Sequence, residues 1–342
     1  MKTFILKDEF KASEIRPSED FNRYLKLLDE DVSDILKDGA GYYIRACPAC
    51  ECSESKVAFN KGRFQYQACC SCQSIYINPR PDNAIMHDFL KRSKAVELWL
   101  SSKLQESASR KQHVFRPRVN WIRGYVGLGY DAAPELSLLD YEAKYGYLIE
   151  ELRKAKIFDS ISYLRPREEV LLHKGGKDNL VVEDDDESRF DVITAFEVLD
   201  RTVDLQATVA NLVKRLNPNG LLFITTISAS GFDLRILKER ARSIVAPIHQ
   251  NILSVEGVKT LLQGAGLELL EMSSPGSIDL SIIEQALAEG NDIEIPDYLR
   301  DILFKRGDDV KAMFQEFLQY ALMSSHLRVV ARKRPDEGED KQ

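Results

Sequence analysis

The sequence predicts an α/β protein: an open parallel sheet covered by helices, preceded by a helical, cysteine-bearing region. Two observations predict it. From about residue 134 onward, short apolar runs alternate with helical stretches, the β-α-β pattern of a parallel sheet with helices on both faces. Before that point, all six cysteines fall between Cys47 and Cys72.

The elements follow in chain order. Pro17-Ser18-Glu19-Asp20 is a helix-start signal. Phe21, Tyr24, Leu25, Leu28, Val32, Ile35 and Leu36 then recur at helical spacing, which predicts a packing face. Residues 1–45 are therefore expected as a helical segment and 46–82 as the cysteine segment. The latter closes on "INPRPD", whose prolines break regular structure. Residues 83–130 read as a helical linker region, with "FLKRSKAVELWLSSKLQ" followed by an Arg-rich stretch interrupted at Pro117. The α/β region spans 131–333. Its strand candidates are 136–140, 160–164, 179–183, 190–196 and 220–227, and its helix candidates include 145–155 and 203–216. "LELLEMSS" and "HLRVVARK" predict late strands, an antiparallel pair at the sheet edge. The charged tail 334–342 is expected to be disordered.

Composition bounds the function. The chain of 342 residues has room for two domains. A formal net charge of -7 argues against phosphate-backbone binding, so no nucleic-acid partner is expected. No apolar run approaches the ~20 residues that span a bilayer. "MKTFILKDEF" meets acids before any long apolar stretch, which predicts no secretory signal and a cytoplasmic, reducing setting.

Cys47-Pro48-Ala49-Cys50 is one C-x-x-C knuckle, and Cys69 and Cys72 form a second, with 18 residues (51–68) between them. That is zinc-ribbon spacing. Four thiolates complete a tetrahedral shell with no open position, so Cys47, Cys50, Cys69 and Cys72 predict a structural Zn²⁺. Cys52 and Cys70 are surplus.

An open parallel sheet binds its ligand beyond the carboxyl ends of its strands. The residues there are "DYEAKYG" after the first strand, Arg165 after the second, "EDDDE" after the third and "EVLDR" after the fourth. Through "CPAC…CCSC" running into "NPRP", "FDVITAFEVLD", "LNPNGLLFITTISASGFDLRIL" and "SSHLRVVARK", the chain resembles class I S-adenosylmethionine-dependent methyltransferases. More narrowly, it resembles the bacterial branch with an N-terminal zinc ribbon, such as sugar C-methyltransferases. The resemblance implies a Rossmann-like methyltransferase sheet and S-adenosylmethionine as cofactor. It also implies methyl transfer to a small-molecule or sugar-type acceptor. Cofactor contact falls to Asp140, Glu142, Gly146, Asp184 and Glu197. His249, in "PIHQN", is the candidate base, because an imidazole titrates near working pH.

The cofactor motif departs from the family's pattern. Asp-x-Gly-x-Gly-x-Gly becomes Asp140-Tyr141-Glu142-Ala143-Lys144-Tyr145-Gly146. Glycines serve that loop because the backbone must turn and approach the ligand without a Cβ in the way. The acid expected after the second strand is Arg165, which offers only donors to a ribose diol. Arg201 stands where the family has His. Three readings follow: a working pocket in which Glu142 contacts cofactor, a cleft filled by internal ion pairs, and a site rebuilt for a phosphate or carboxylate. The second makes the chain a non-catalytic binding or assembly subunit beside an active enzyme, with a protein partner. The arginines from Arg110 to Arg123 read as a solvated helix face or a surface for an anion.

Overall fold

The computed structural model describes residues 18–36, 41–101, 108–129, 135–142, 146–164, 180–182, 187–290 and 293–335. Its strands in chain order are β1 (Tyr42–Tyr43), β2 (Ser55–Lys61), β3 (Phe64–Cys69), β4 (Ile75–Ile77), β5 (Arg80–Pro81), β6 (Ser137–Asp140), β7 (Ser160–Leu164), β8 (Leu180–Val182), β9 (Phe190–Phe196), β10 (Leu216–Ile227), β11 (Asn251–Ile252), β12 (Leu267–Ser273) and β13 (His326–Lys333).

The main sheet has seven strands in the order β12-β13-β10-β9-β6-β7-β8. Strands β6 to β10 pair in parallel, and β13 lies antiparallel between β10 and β12. From β6 the chain steps outward through β7 to β8, then returns to β9 and steps the other way. The direction reverses between β6 and β9, so the topological switch point lies at their carboxyl ends.

Both faces of the central strands are buried. Leu138, Leu139, Val192, Ile193, Leu222, Phe223 and Ile224 all have no or almost no exposure, which explains why these strands read as continuous apolar runs rather than as alternations. One face packs on the helices Leu205–Lys214 and Val255–Gly264, through Leu205, Val209, Leu212, Val258, Leu261 and Leu262. The other carries Phe115 from the turn Lys111–Phe115, Ile122 and Val126 from helix Arg116–Gly129, and Leu148 and Leu152 from helix Gly146–Ala155.

The helical pattern expected from "FLKRSKAVELWLSSKLQ" resolves into two helices, Asn83–Arg92 and Lys94–Ser101. Ser93 makes the break. Its N–H closes the first helix on Phe89 O, and its Oγ accepts from Val96 N at 3.1 Å to open the second. Asp31, buried on helix Ser18–Ile35, accepts from Ser93 Oγ and Ala95 N and locks the corner. Pro117 does not interrupt its helix. A single π-helical turn, Lys111–Phe115, precedes it, with Arg116 N–H reaching back to Lys111 O. Among the described residues between β12 and β13 stand the helices Asp279–Ala288, Asp297–Phe304 and Asp308–Tyr320, which the sequence pattern did not predict.

The ribbon is not a separate bead. Its sheet runs β11-β4-β3-β2, so a strand of the α/β region completes it. Arg80 is fully buried at the junction and donates to Val203 O at 2.9 Å and Asn251 Oδ1 at 3.0 Å. Ser254 caps helix Val255–Gly264 through Gly257 N and also donates to Cys72 O. A Cβ on Gly257 would sit 2.0 Å from Ser74 Oγ, so this helix end approaches the ribbon only because residue 257 lacks a side chain. No helix among the described residues is long and apolar enough to cross a membrane.

Candidate functional site

The two knuckles share one backbone design. Glu51 N donates to Cys47 O at 2.9 Å and Gln73 N to Cys69 O at 3.2 Å. Cys47 N donates to Cys52 O, and Cys69 N to Ser74 O, both at 2.9 Å. The residue after each second cysteine, Glu51 (φ 60) and Gln73 (φ 62), takes the left-handed conformation that closes the turn. All four sulfurs consequently lie within 4.8 Å of one another. Cys47–Cys72 and Cys50–Cys69 stand 3.6 and 3.5 Å apart. A tetrahedron of thiolates at about 2.3 Å from one ion has edges of about 3.8 Å, so the four could hold one metal. Cys52 and Cys70 are outside this group. The sulfur of Cys52 contacts Glu54 O, and Cys70 is exposed.

Acidic residues gather at the switch point. Asp140 ends β6, and Glu197 follows β9 directly. Asp140 is buried and accepts from Thr194 Oγ1 across the β6–β9 pair at 2.7 Å. Burial pushes its carboxyl up to about 7, with Thr194 and Arg118 pulling the other way. Glu142 sits in the turn beyond it with φ 52, and Glu197 has φ 57. Two side-chain-bearing acids thus hold left-handed backbone at adjacent strand ends, which costs about 1–2 kcal/mol each. Gly146 opens helix Gly146–Ala155. Asp184, Lys144 and Arg165 lie outside the described residues.

Arg118 makes the site. It comes from helix Arg116–Gly129, is buried, and donates from Nη2 to Glu197 Oε1 at 2.6 Å. Its guanidinium lies 4.8 Å from the Phe196 ring centre. Burial disfavours the Glu197 carboxylate, but Arg118, Arg201 and Arg110 together outweigh it and hold the carboxyl well below its ordinary value. The expectation of a solvated arginine face is corrected in part: Arg110 and Arg118 are buried, whereas Arg116 is 63% exposed and pairs with Glu151. The signal was available. Arg118 falls three residues after Phe115 and four before Ile122, on the apolar stripe of its own helix.

His249 precedes β11 and lies beside Asp200, three residues after Glu197. It is buried where ribbon and α/β region meet, with Nδ1 accepting from Val245 N at 2.9 Å and Nε2 3.6 Å from Asp200 Oδ2. Its carbonyl accepts from Tyr66 Oη at 2.8 Å. Tyr141, between Asp140 and Glu142, is buried, and its hydroxyl accepts from Asn211 Nδ2 at 3.4 Å.

A family model described as a methyltransferase domain matches residues 100–272, just over half the chain. The chain belongs to this methyltransferase-domain family. Solved structures are similar at low identity. The plantazolicin methyltransferase BpumL in complex with SAH is 13% identical, with a TM-score of 0.46, covering 73% of this chain and 94% of that one. Magnesium protoporphyrin IX methyltransferase (ChlM) from Synechocystis PCC 6803 with bound SAH is 13% identical at 0.44, covering 74% and 100%. A complex of the Haloferax volcanii Trm112 methyltransferase activator with a methyltransferase gives 17% at 0.45, covering 69% and 96%. None of the three bears on what this chain binds. No curated protein sequence matches it.

Proposed function

We propose that the chain is an S-adenosylmethionine-dependent methyltransferase acting on a small-molecule or sugar-type acceptor. One observation carries the reading: Asp140, Glu142 and Glu197 flank the switch point, two of them in left-handed backbone. Unfavourable backbone persists where the surroundings over-determine it, and such places cluster at ligand sites. A cleft that had merely decayed has no reason to keep glycine geometry at a glutamate. Acids at these points accept hydrogen bonds from hydroxyl and ammonium groups. That is the chemistry a ribose diol and an amino-acid end present. In this reading Glu142 does with a carboxylate what the family does with bare backbone. Gly146 and Asp184 complete the cofactor set.

The protein's part in such transfer is to align acceptor and methyl group and to exclude water. His249, held between Val245 and Asp200, is assigned here as a positioning residue rather than as the base. The ribbon is assigned a structural Zn²⁺ on Cys47, Cys50, Cys69 and Cys72, which would fix the strands that carry Arg80 against the α/β region. Incubating the full chain with S-adenosylmethionine and sugar or sugar-nucleotide acceptors tests the function. Acceptor-dependent formation of S-adenosylhomocysteine is expected, and none with any acceptor would count against catalysis.

A second reading, a non-catalytic subunit beside an active enzyme, is favoured by one separate feature. Met313, Phe317 and Tyr320 lie at helical spacing on Asp308–Tyr320 and are 68%, 54% and 70% exposed, an apolar stripe of the kind that partners cover. Co-purification with an active methyltransferase, lost on M313D/F317D, would support it.

A further inference from the structure

Two acids of the α/β region are buried with no cation to meet them. Asp233, on helix Phe232–Leu237, and Asp279, which opens helix Asp279–Ala288, are 0% and 1% exposed. Neither forms an ion pair among the described residues. The charged or titratable groups on the elements packed there are Arg235, exposed on Asp233's own helix, the Lys311–Glu284 pair at 2.7 Å, Glu316 on helix Asp308–Tyr320, and His326 and Arg328 on β13.

One strand entry brings the two acids together. Asp279 accepts from Ser325 N at 2.9 Å, Ser324 Oγ at 2.6 Å and Gln315 Nε2 at 2.7 Å. The residues just before Asp233 lie on the same stretch. Phe232 N donates to Met323 O at 2.7 Å, and a Cβ on Gly231 would stand 2.5 Å from Ser325 Cα. Ser228 N donates to Ser325 O at 2.8 Å, which fixes this entry to the carboxyl end of β10. Asp279 is thus well supplied with donors, and Asp233 is not. Its Oδ1 accepts from Leu234 N at 2.7 Å, while its Oδ2 is buried without a hydrogen-bond partner among the described residues. A buried carboxyl short of donors and close to a second acid keeps its proton. Burial, and then Asp279, push the Asp233 carboxyl up to about 7, and burial raises that of Asp279 as well.

The pair sits where the late helices meet the sheet. Strands β10 and β12 run the same way, both antiparallel to β13. The insert between β12 and β13 therefore leaves and rejoins the sheet at the edge where Asp140 and Glu197 stand. Asp279, Gln315 and Ser324 tie its first helix, its third helix and the strand entry into one knot.

We propose that Asp233 and Asp279 form a proton-dependent latch that holds the insert between β12 and β13 against the strand ends at this edge. With Asp233 neutral, a single charge lies in the knot, and Asp279's donors satisfy it. With both acids ionised, two buried charges without a cation repel, and the insert loosens. The latch stands apart from the functional reading, since it requires neither cofactor nor acceptor.

Backbone hydrogen exchange of the full chain at about pH 5 and about pH 8, corrected for intrinsic rates, tests it. In the loosened insert Asp233 meets water and titrates as an ordinary carboxyl, whereas in the closed insert it holds its proton to about 7. Protection therefore falls as pH rises between those two values. Helices Asp279–Ala288 and Asp308–Tyr320 are expected to lose at least about tenfold in protection from the lower pH to the higher. Helix Leu205–Lys214, on the sheet face, should lose less. Asp233→Asn, which cannot ionise, should remove the loss in the insert. Should that variant fail to fold, Asp279→Asn, which removes the facing charge, is expected to shrink it. The latch is overturned by protection in these helices that does not change with pH. A loss spread evenly over the whole chain, or one that both substitutions leave in full, overturns it too.

Discussion

Thr194 Oγ1 donates to Asp140 Oδ1 at 2.7 Å, from the middle strand of the switch point to its neighbour. The bond is the main support of a carboxyl that the sheet otherwise buries, and it does not offset burial. The folded-state pKa stands at about 7 against an ordinary 3.8. Between those values the folded chain holds a proton the unfolded chain has lost. Stability therefore falls as pH rises through this window. Asp140→Asn removes the dependence. Relative to the wild type, the variant should gain on the order of a few kcal/mol between pH 4 and pH 7.5, read from denaturant melts at both pH values. An equal difference at both would show that Asp140 titrates normally.

Glu142→Gly separates strain from function. Glycine adopts φ 52 without a Cβ penalty, so the variant should be more stable by about 1 kcal/mol. On the working-pocket account it should at the same time bind S-adenosylmethionine at least tenfold more weakly. Tighter binding in the variant, or in the double variant with Lys144→Gly, would mean that Glu142 blocks a site the family once used.

The architecture was legible because the parallel strands are buried on both faces and so announce themselves as short apolar runs bounded by turns. The ribbon was legible because its two C-x-x-C pairs stand at a recognisable spacing in the sequence. The late helices between β12 and β13 were not, since their amphipathic patterns carry no capping signal at Pro296 or Ile278. Arg118 was the instructive case. Charge suggested a solvated face, but its position between Phe115 and Ile122 put it inside. Only the fold shows which acid it meets, because Glu197 is 79 residues away in the chain.

Metal content tests the ribbon. Purified protein should carry about one Zn²⁺ per chain, as four thiolates saturate a tetrahedral ion. Cys50→Ser should lower that content and the melting temperature together. Because β11 belongs to both units, the loss should reach the α/β region, visible as one broadened transition. Full metal loss with an unchanged melt would make the ribbon dispensable.

Arg80→Met tests the junction directly. The substitution removes the donor that Asn251 Oδ1 meets now and one of two donors on Val203 O and on Gln250 O, which keep Arg45 Nη1 and Ile77 N. An orphaned buried acceptor costs about 1–3 kcal/mol, so a loss on the order of 2 kcal/mol in chemical denaturation is expected. A change below about 1 kcal/mol would indicate that water fills the gap.

The most direct test is calorimetric titration of the full-length protein with S-adenosylmethionine. Micromolar binding is expected, abolished by Asp140→Ala and weakened by Glu197→Gln. Silence at millimolar cofactor, from a protein whose melt shows it folded, would contradict it and leave the chain a methyltransferase fold that does not use the methyl donor.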